Sequence, residues 1–345
     1  MLRYLTAGES HGRCMIAILE GMPAGLKVDL KIMNIEIRRR QLGYGRGDRM
    51  KIEADTIEVL SGVKNGHALG SPITLYVKNN DFRIDELILL ANPRPGHADL
   101  VGCLKYGHTD IRNVLERASA RETVSRVAIG SVCKLFLKEF GVLITSEVLM
   151  IGGEKNKEKM EKKIDHAKKN LDTVGGAFGV VAEGVVPGLG SYVASDRRLN
   201  GRLAGALSSI PAIKAVEFGL GTGFAYDFGS RVHDAIFYSK EKGFFRKTNR
   251  SGGIEGGMST GEPIAIRCTM KPISTLGKPM DSVDIITKKP VKAAVERYDT
   301  CAVAAAGVVA ESVVAYELTF AMLEKFGGDS INEVKRNYKA YTRTL

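Results

Sequence analysis

Arg117-Ala118-Ser119-Ala120-Arg121-Glu122-Thr123-Val124-Ser125-Arg126 is the stretch from which the rest of the chain is read. Ser119 and Glu122 stand three apart, the spacing of a capping box. In that motif the serine side chain accepts from the amide of residue 122 and the glutamate reaches back to the amide of residue 119. Apolar or small residues then recur at Val124, Val127, Ala128, Ser131, Val132 and Leu135. This periodicity of three and four predicts a helix of about five turns with one buried face. Its start offers unpaired amides and the positive end of the helix dipole, and Arg117 and Arg121 add two charges there. Such an end suits a phosphate or carboxylate, although an ordinary capped helix with solvated arginines has the same sequence.

Outward from that helix the chain reads twice in the same order. Upstream come a strand-like run Cys14 to Leu19, a turn Glu20-Gly21-Met22-Pro23-Ala24-Gly25-Leu26, and a helix capped by Asp29 that ends near Leu42 with Gly43 as its stop. Strands follow near Ile57 to Gly62 and Pro72 to Lys78. Downstream, Phe178 to Ala182 leads to Glu183-Gly184-Val185-Val186-Pro187-Gly188-Leu189, then a helix from Asp196 to Ser209. Val216-Glu217-Phe218-Gly219 and Gly261-Glu262-Pro263-Ile264 echo the earlier strands, and Arg297 precedes an apolar helix, Ala302 to Leu323, as Arg117 precedes the first. The pattern predicts an α+β chain of 345 residues built as one domain. It is a sandwich of two related halves, about 1–140 and 176–325, each packing a long helix on an antiparallel sheet. A strand, Val142 to Met150, and the lysine-rich helix Lys155 to Lys169 read as the connector.

Composition narrows the function. With 50 Lys and Arg against 39 Asp and Glu, the formal charge is +11, which favours anionic partners. The five cysteines are scattered and form no C-x-x-C, so neither a zinc site nor a disulfide framework is indicated, and a reducing cytoplasm is expected. Met1 to Thr6 has no signal-like apolar core, and the apolar run Cys301 to Ala310 is stopped by Glu311, too short to span a bilayer. No membrane role is expected. Tryptophan is absent, and no aromatics interleave with basic residues as base-stacking proteins require.

Several stretches carry candidate chemistry. Arg38, Arg39, Arg40, Arg46 and Arg49 put five arginines into twelve residues around Gly43-Tyr44-Gly45. Three end a helix, where cations suit the dipole, and two lie on a glycine loop able to close over a ligand. Ser251-Gly252-Gly253-Ile254-Glu255-Gly256-Gly257-Met258-Ser259 permits close backbone approach, but is neither a dinucleotide fingerprint nor a Walker loop. Lys271-Pro272-Ile273-Ser274-Thr275 offers a cation, two hydroxyls and backbone groups that suit phosphate or flavin-ring contacts. His11 lies in Gly8-Glu9-Ser10-His11-Gly12, His97 follows Pro93-Arg94-Pro95-Gly96, and Asp299 follows Arg297 by two. A desolvated Asp299 facing a ligand could act as a base, whereas an exposed one is an ordinary cap.

In this order these stretches resemble the chorismate synthase family: Gly8 to Gly12, Arg38 to Gln41 with Gly43 to Arg46, Pro93 to Asp99, Arg117 to Thr123, Ser251 to Gly257, Lys271-Pro272 and Arg297-Tyr298-Asp299. Tyr298 stands where the family usually has histidine, and Thr300 where it mostly has proline. The resemblance implies an anti-1,4-elimination of phosphate and a ring proton from 5-enolpyruvylshikimate 3-phosphate to give chorismate. That is the last step of the shikimate pathway, serving aromatic amino acid biosynthesis. It implies reduced FMN (FMNH2) as cofactor, an external flavin reductase or other reduced-FMN source, and a cytoplasmic homotetramer. Arg117, Ala118, Ser119, Pro211, Ala212, Gly256, Lys271, Pro272, Ile273, Ser274, Thr275 and Arg297 would contact FMN. Arg40, Arg46, Arg49, Arg121 and Ser10 would bind substrate or NADP. His11 would donate a proton to the reduced flavin, His97 would assist phosphate departure, and Asp299 with flavin N5 would take part in removing the ring proton. No metal is implied. A basic RNA-binding protein and an NADPH-dependent flavin reductase are the competing readings, the first predicting steep salt dependence and no dependence on flavin.

Overall fold

In Cys14–Glu20 the side chains alternate, burying Met15, Ala17 and Leu19, the signature of a strand with one face on a core. In this computed structural model, which describes residues 1–47, 55–241 and 243–345, that strand is β2 of a four-stranded sheet. Its companions are β1 (Arg3–Ala7), β3 (Ile57–Ser61) and β4 (Ile73–Lys78), in the order β1-β2-β4-β3. A second four-stranded sheet holds β5 (Leu143–Ile151), β6 (Gly176–Glu183), β7 (Ile213–Phe218) and β8 (Ile264–Met270), in the order β5-β6-β8-β7. All neighbours in both sheets are antiparallel. The strand expected at Val142 to Met150 is present as Leu143–Ile151; rather than only joining the halves, it forms an edge of the second sheet, paired with β6 from Leu143↔Glu183 to Ile151↔Gly176.

Among the described residues the helices of seven residues or more are, in chain order, α1 (Leu30–Gln41), α2 (Asp99–Tyr106), α3 (Arg112–Ala118), α4 (Thr123–Lys138), α5 (Lys157–Lys169), α6 (Leu199–Ser208), α7 (Val303–Phe326) and α8 (Ile331–Thr342). α4 packs on β2 and β4, α7 packs on β5 and β6, and α4 packs on α7, so the helices lie inside and the sheets outside. The crossing is close: a Cβ on Gly130 would sit 2.2 Å from the Ser312 Cβ. By length and composition α7 could cross a membrane, but 78% of its apolar window is buried, so it is a core helix.

Three local expectations change. Ser119 takes an extended conformation (φ −63°, ψ 142°) and starts the helical run as expected, but that run opens as a short 3-10 turn, Ala120–Glu122, before α4, and a separate short helix, α3, precedes it. No capping box forms there. The Ser119 side chain accepts from the Arg121 amide, and Arg126 holds both oxygens of Glu122 at 3.0 Å. A capping box opens α8 instead, from Ser330 and Glu333. Every apolar position expected on the first helix is buried, along with Ile129, Cys133, Phe136 and Leu137, because α4 lies between a sheet and α7 and has no free face. Asp29 caps α1 as its sequence predicts, accepting from the Lys31 and Ile32 amides, and Gly43 follows its end at φ +131°.

Glu311 does not stop the apolar run. α7 continues through it, and its carboxylate is fully buried. Arg39 donates to both Glu311 oxygens at 2.6 and 2.8 Å, Ser146 donates to one at 2.6 Å, and Lys134 bridges Glu311 and Glu36. Burial pushes the carboxyl up, but these donors and charges outweigh it and hold it below its ordinary value. Removing the carboxylate leaves Arg39 and Lys134 to share Glu36 and leaves Ser146 without its acceptor. Glu311→Ala is expected to lose about 3–5 kcal/mol in urea unfolding, and a loss below about 1 kcal/mol would show the network to be dispensable.

Candidate active site

The Gly8–Gly12 loop links β1 to β2, and its backbone has almost no room. A Cβ on Gly8 would sit 2.2 Å from the Cys14 carbonyl oxygen, and its φ is +109°. Asn79 staples the loop by donating to the carbonyls of Glu9 (3.0 Å) and Gly12 (2.8 Å). Ser10 is buried, its amide donating to the Glu116 carbonyl at 2.9 Å, while Ser119 Oγ lies 3.2 Å from Ser10 Oγ. His11 is also buried. Its amide donates to Glu116 Oε2 at 2.7 Å and its Nδ1 lies 2.9 Å from Glu116 Oε1. On the other side, His11 Nε2 is 3.7 Å from Asp81 Oδ2, and Asp81 in turn pairs with Arg297 and, at 3.0 Å, with Arg83.

Behind this loop stands a buried cluster of arginines. Arg121 donates to Asn79 Oδ1 at 2.9 Å and to Asp55 Oδ2 at 2.7 Å. Arg40 donates to Thr123 Oγ1 at 3.0 Å and to the Ala120 carbonyl at 3.1 Å, with Asp55 Oδ2 3.8 Å from its Nη1. Burial and the charge of Arg121 push the Arg40 guanidinium well below its ordinary value. Arg40 Nη1 and Asp55 Oδ1 are buried without a hydrogen-bond partner. Arg46 Nη1 lies 2.7 Å from Asp299 Oδ2, and the Gly47 amide donates to Asp299 Oδ1 at 2.6 Å. The Thr300 amide donates to the Gly45 carbonyl at 2.9 Å, a bond that a proline there could not make. Arg117 donates to the Thr6 and Gly8 carbonyls, so it braces the Gly8 loop.

A third group gathers His97 and the Lys271–Thr275 loop. Arg94, itself buried, holds both oxygens of Asp99 at 2.8 and 3.0 Å and donates to Thr275 Oγ1 at 2.7 Å. His97 Nδ1 lies 2.5 Å from Asp99 Oδ1. Ser274 donates to the Gly96 carbonyl at 2.8 Å and accepts from Lys271 Nζ at 2.7 Å. The Lys271 amide donates to the carbonyl of Ala212, which adopts φ +70°, so Pro211 and Ala212 lie against this loop. Burial and nearby Lys214 push the Lys271 ammonium below its ordinary value.

The extended chain 293–301 runs between the groups. The Ala294 amide donates to the Asn92 carbonyl beside Pro93, and Arg297, three residues on and so at most about 11 Å away, pairs with Asp81. Gly256 stands apart. It is the tip of a two-residue hairpin with Gly257 (φ +58° and +87°), and the Gly257 carbonyl accepts from the first amide of α6. Pro211 and Ala212 follow the other end of α6, roughly 15 Å along its axis. Arg49 lies outside the described residues. A cavity of about 570 Å³ lies elsewhere, between α4, α6 and α7. Its arginines face carboxylates: Arg126 with Glu122, Arg202 with Glu317, Arg197 with Glu324. No expected site residue lines it.

Sequence reasoning missed Glu116, Asp81, Asp55 and Asn79 as parts of the site. Glu116 adjoins Arg117 and could have been suspected from that; the others had no local signal.

The described residues thus bring together buried guanidiniums and two histidines, each with Nδ1 against a carboxylate, an arrangement of the kind enzymes use on anionic substrates. Residues 2–323 match the family profile described as chorismate synthase. The chain is 54% identical over 343 residues to the chorismate synthase of Thermoanaerobacter pseudethanolicus, covering 99% of this chain and 98% of that protein. It is 52% identical over 382 residues to that of Carboxydothermus hydrogenoformans, covering 100% and 99%. A crystal structure of a chorismate synthase superposes with a TM-score of 0.82 at 41% identity, covering 100% of this chain and 98% of the other. The chain belongs to the chorismate synthase family and is a lyase.

Burial pushes the Asp99 carboxyl up, but hydrogen bonds and charge from His97 and Arg94 outweigh it and hold it well below its ordinary 3.8. A depressed carboxyl contributes stability above its unfolded value, and that stability is lost as pH falls. Asp99→Asn is therefore expected to unfold at lower urea than wild type at pH 7, with the gap narrowing as pH is taken below about 4. A gap constant from neutral to acid pH would contradict this account of Asp99.

Proposed function

We propose that this protein converts 5-enolpyruvylshikimate 3-phosphate to chorismate by anti-1,4-elimination, using reduced FMN. One C–O bond breaks and phosphate leaves with its electron pair. One ring C–H bond breaks and a proton leaves, and the diene forms with no net redox change. The observation that carries this reading is the family match over residues 2–323, with relatives 54% and 52% identical across nearly their whole length.

The site chemistry supports it. The substrate carries two carboxylates and a phosphate, about four negative charges. Arg40 and Arg121 share Asp55, Arg46 meets Asp299, and among the described residues Arg40 Nη1 has no acceptor. Arginine forks grip such oxyanions at two points and stay charged. His97 holds a proton for the departing phosphate, and Asp299, both of whose oxygens are fixed by Arg46 and the Gly47 amide, takes part in removing the ring proton.

The donor set fits the cofactor. Arg117, Ala118, Ser119, Pro211, Ala212, Gly256, Lys271 to Thr275 and Arg297 would hold FMN. Lys271 and the Ser274 and Thr275 hydroxyls are polar partners beside Ala212, and a Cβ on Gly256 would meet nothing within 4 Å, so that tip is open to a ligand. An elongated cofactor along α6 would reach both ends. When bound, reduced FMN supplies electron density transiently. His11 holds a proton toward it.

On the same reading the chain works in the cytoplasm as a homotetramer and receives reduced FMN from an external source. Exposed apolar side chains such as Leu5 and its cross-strand partner Ile18 suit burial between copies. We also infer that the two sheets descend from one duplicated unit. In support, both run first-second-fourth-third in strand order, place a helix between the second and third strands, and send a long helix from the fourth. The second copy would begin at β5.

The test is anaerobic turnover of 5-enolpyruvylshikimate 3-phosphate, followed by phosphate release and chorismate absorbance. Turnover is expected with chemically reduced FMN and not with oxidised FMN; no turnover in folded protein supplied with both would overturn the proposal. His11→Ala and Asp299→Ala should each lower turnover about 100-fold or more while leaving substrate binding within a few-fold. Near-wild-type turnover in either removes that residue from the mechanism.

A further inference from the structure

Glu116 is a buried acid that the proposed mechanism does not use, and both of its carboxylate oxygens meet His11. Its Oε2 accepts from the His11 amide at 2.7 Å, and its Oε1 lies 2.9 Å from His11 Nδ1. Its own carbonyl accepts from the Ser10 amide at 2.9 Å. We propose that Glu116 is a positioning residue that keeps hydrogen on His11 Nδ1 in both protonation states: the imidazolium gives its Nε2 proton to a ligand and is left as the Nδ1–H tautomer, so that Nε2 is the one ring atom that exchanges a proton. The inference rests on the reading of His11 as a proton donor.

The argument is one of donors and acceptors. A carboxylate only accepts, so the ring nitrogen facing it must carry hydrogen. The reverse tautomer would set a nitrogen lone pair against a buried anion. Asp81 does not compete for the ring in the same way. It is 3.7 Å from Nε2, beyond hydrogen-bond reach, and is drawn toward Arg297 and Arg83. Nε2 is thus left without a tight protein partner and turned toward the Arg297 side of the site. A second carboxylate arrangement of the same kind holds His97, whose Nδ1 faces Asp99.

Glu116→Gln tests this with little change of shape. The amide has one oxygen. If that oxygen keeps the bond from the His11 main chain, the amide NH2 faces Nδ1 and forces the hydrogen to Nε2. Long-range 1H–15N correlations on histidine-labelled protein, with His11→Ala to assign the signal, read the tautomer directly. Wild type is expected to show His11 protonated at Nδ1, and Glu116→Gln to show the signal inverted. In the reduced-FMN assay the variant should lose at least about tenfold in kcat with KM within about twofold. Glu116→Asp, which keeps an acceptor-only carboxylate, should retain the wild-type tautomer and recover part of the rate. A wild-type His11 unprotonated at Nδ1, or a variant with inverted tautomer and unchanged kcat, would overturn the proposal. If wild type turns over no substrate, the functional reading fails while the spectra still decide the role of Glu116.

Discussion

A fully buried carboxylate, Glu311, sets the terms for the rest of the structure. It stands midway along α7, the helix that packs on the second sheet and on α1 and α4 of the first unit. Buried charge must be met by charge and hydrogen bonds, and the partners come from three other elements: Arg39 on α1, Lys134 on α4 and Ser146 on β5. The network therefore fixes how the two units pack. It also places the end of α1. Arg40 follows Arg39 by about 100° around that helix, so docking Arg39 on Glu311 turns Arg40 toward Thr123, Ala120 and Asp55. One residue joins the halves and the next builds the anion site.

The site that results is polar and crowded. Among the described residues Asp55 is shared between Arg121 and Arg40, Asp299 meets Arg46 and the Gly47 amide, and Asp81 meets Arg297 and Arg83. Burial and the charge of Arg121 depress the guanidinium of Arg40, a cost that the proposed oxyanion would relieve. The histidines are handled differently, each with Nδ1 against a buried carboxylate. Charge binding and proton handling thus rest on separate side chains held by separate loops.

Much of this was legible in the sequence, for physical reasons that vary by element. Cys14–Glu20 and Ile264–Met270 alternate because only one face of each is buried, so their strands are plain. α1 was legible because Asp29 and Gly43 mark its two ends. The 3-10 turn after Ser119 was not, since Ser-x-x-Glu fits a capping box equally well and the competing ion pair of Glu122 with Arg126 needs the fold to form. Glu311 looked like the end of an apolar run because its partners are 177, 165 and 272 residues away. The candidate site loops were singled out through glycine, arginine and histidine, residues whose conformational or chemical roles are local. The acids that orient them, Glu116, Asp81 and Asp55, act across long sequence distances and left no local mark.

The most direct measurement is a crystal structure of the protein with oxidised FMN and 5-enolpyruvylshikimate 3-phosphate bound. The account predicts the substrate's oxyanions against Arg40, Arg46 and Arg121, and the flavin between the Lys271–Thr275 loop and His11. Ligands seated instead in the cavity between α4, α6 and α7, with Arg40 Nη1 still without a partner, would contradict it.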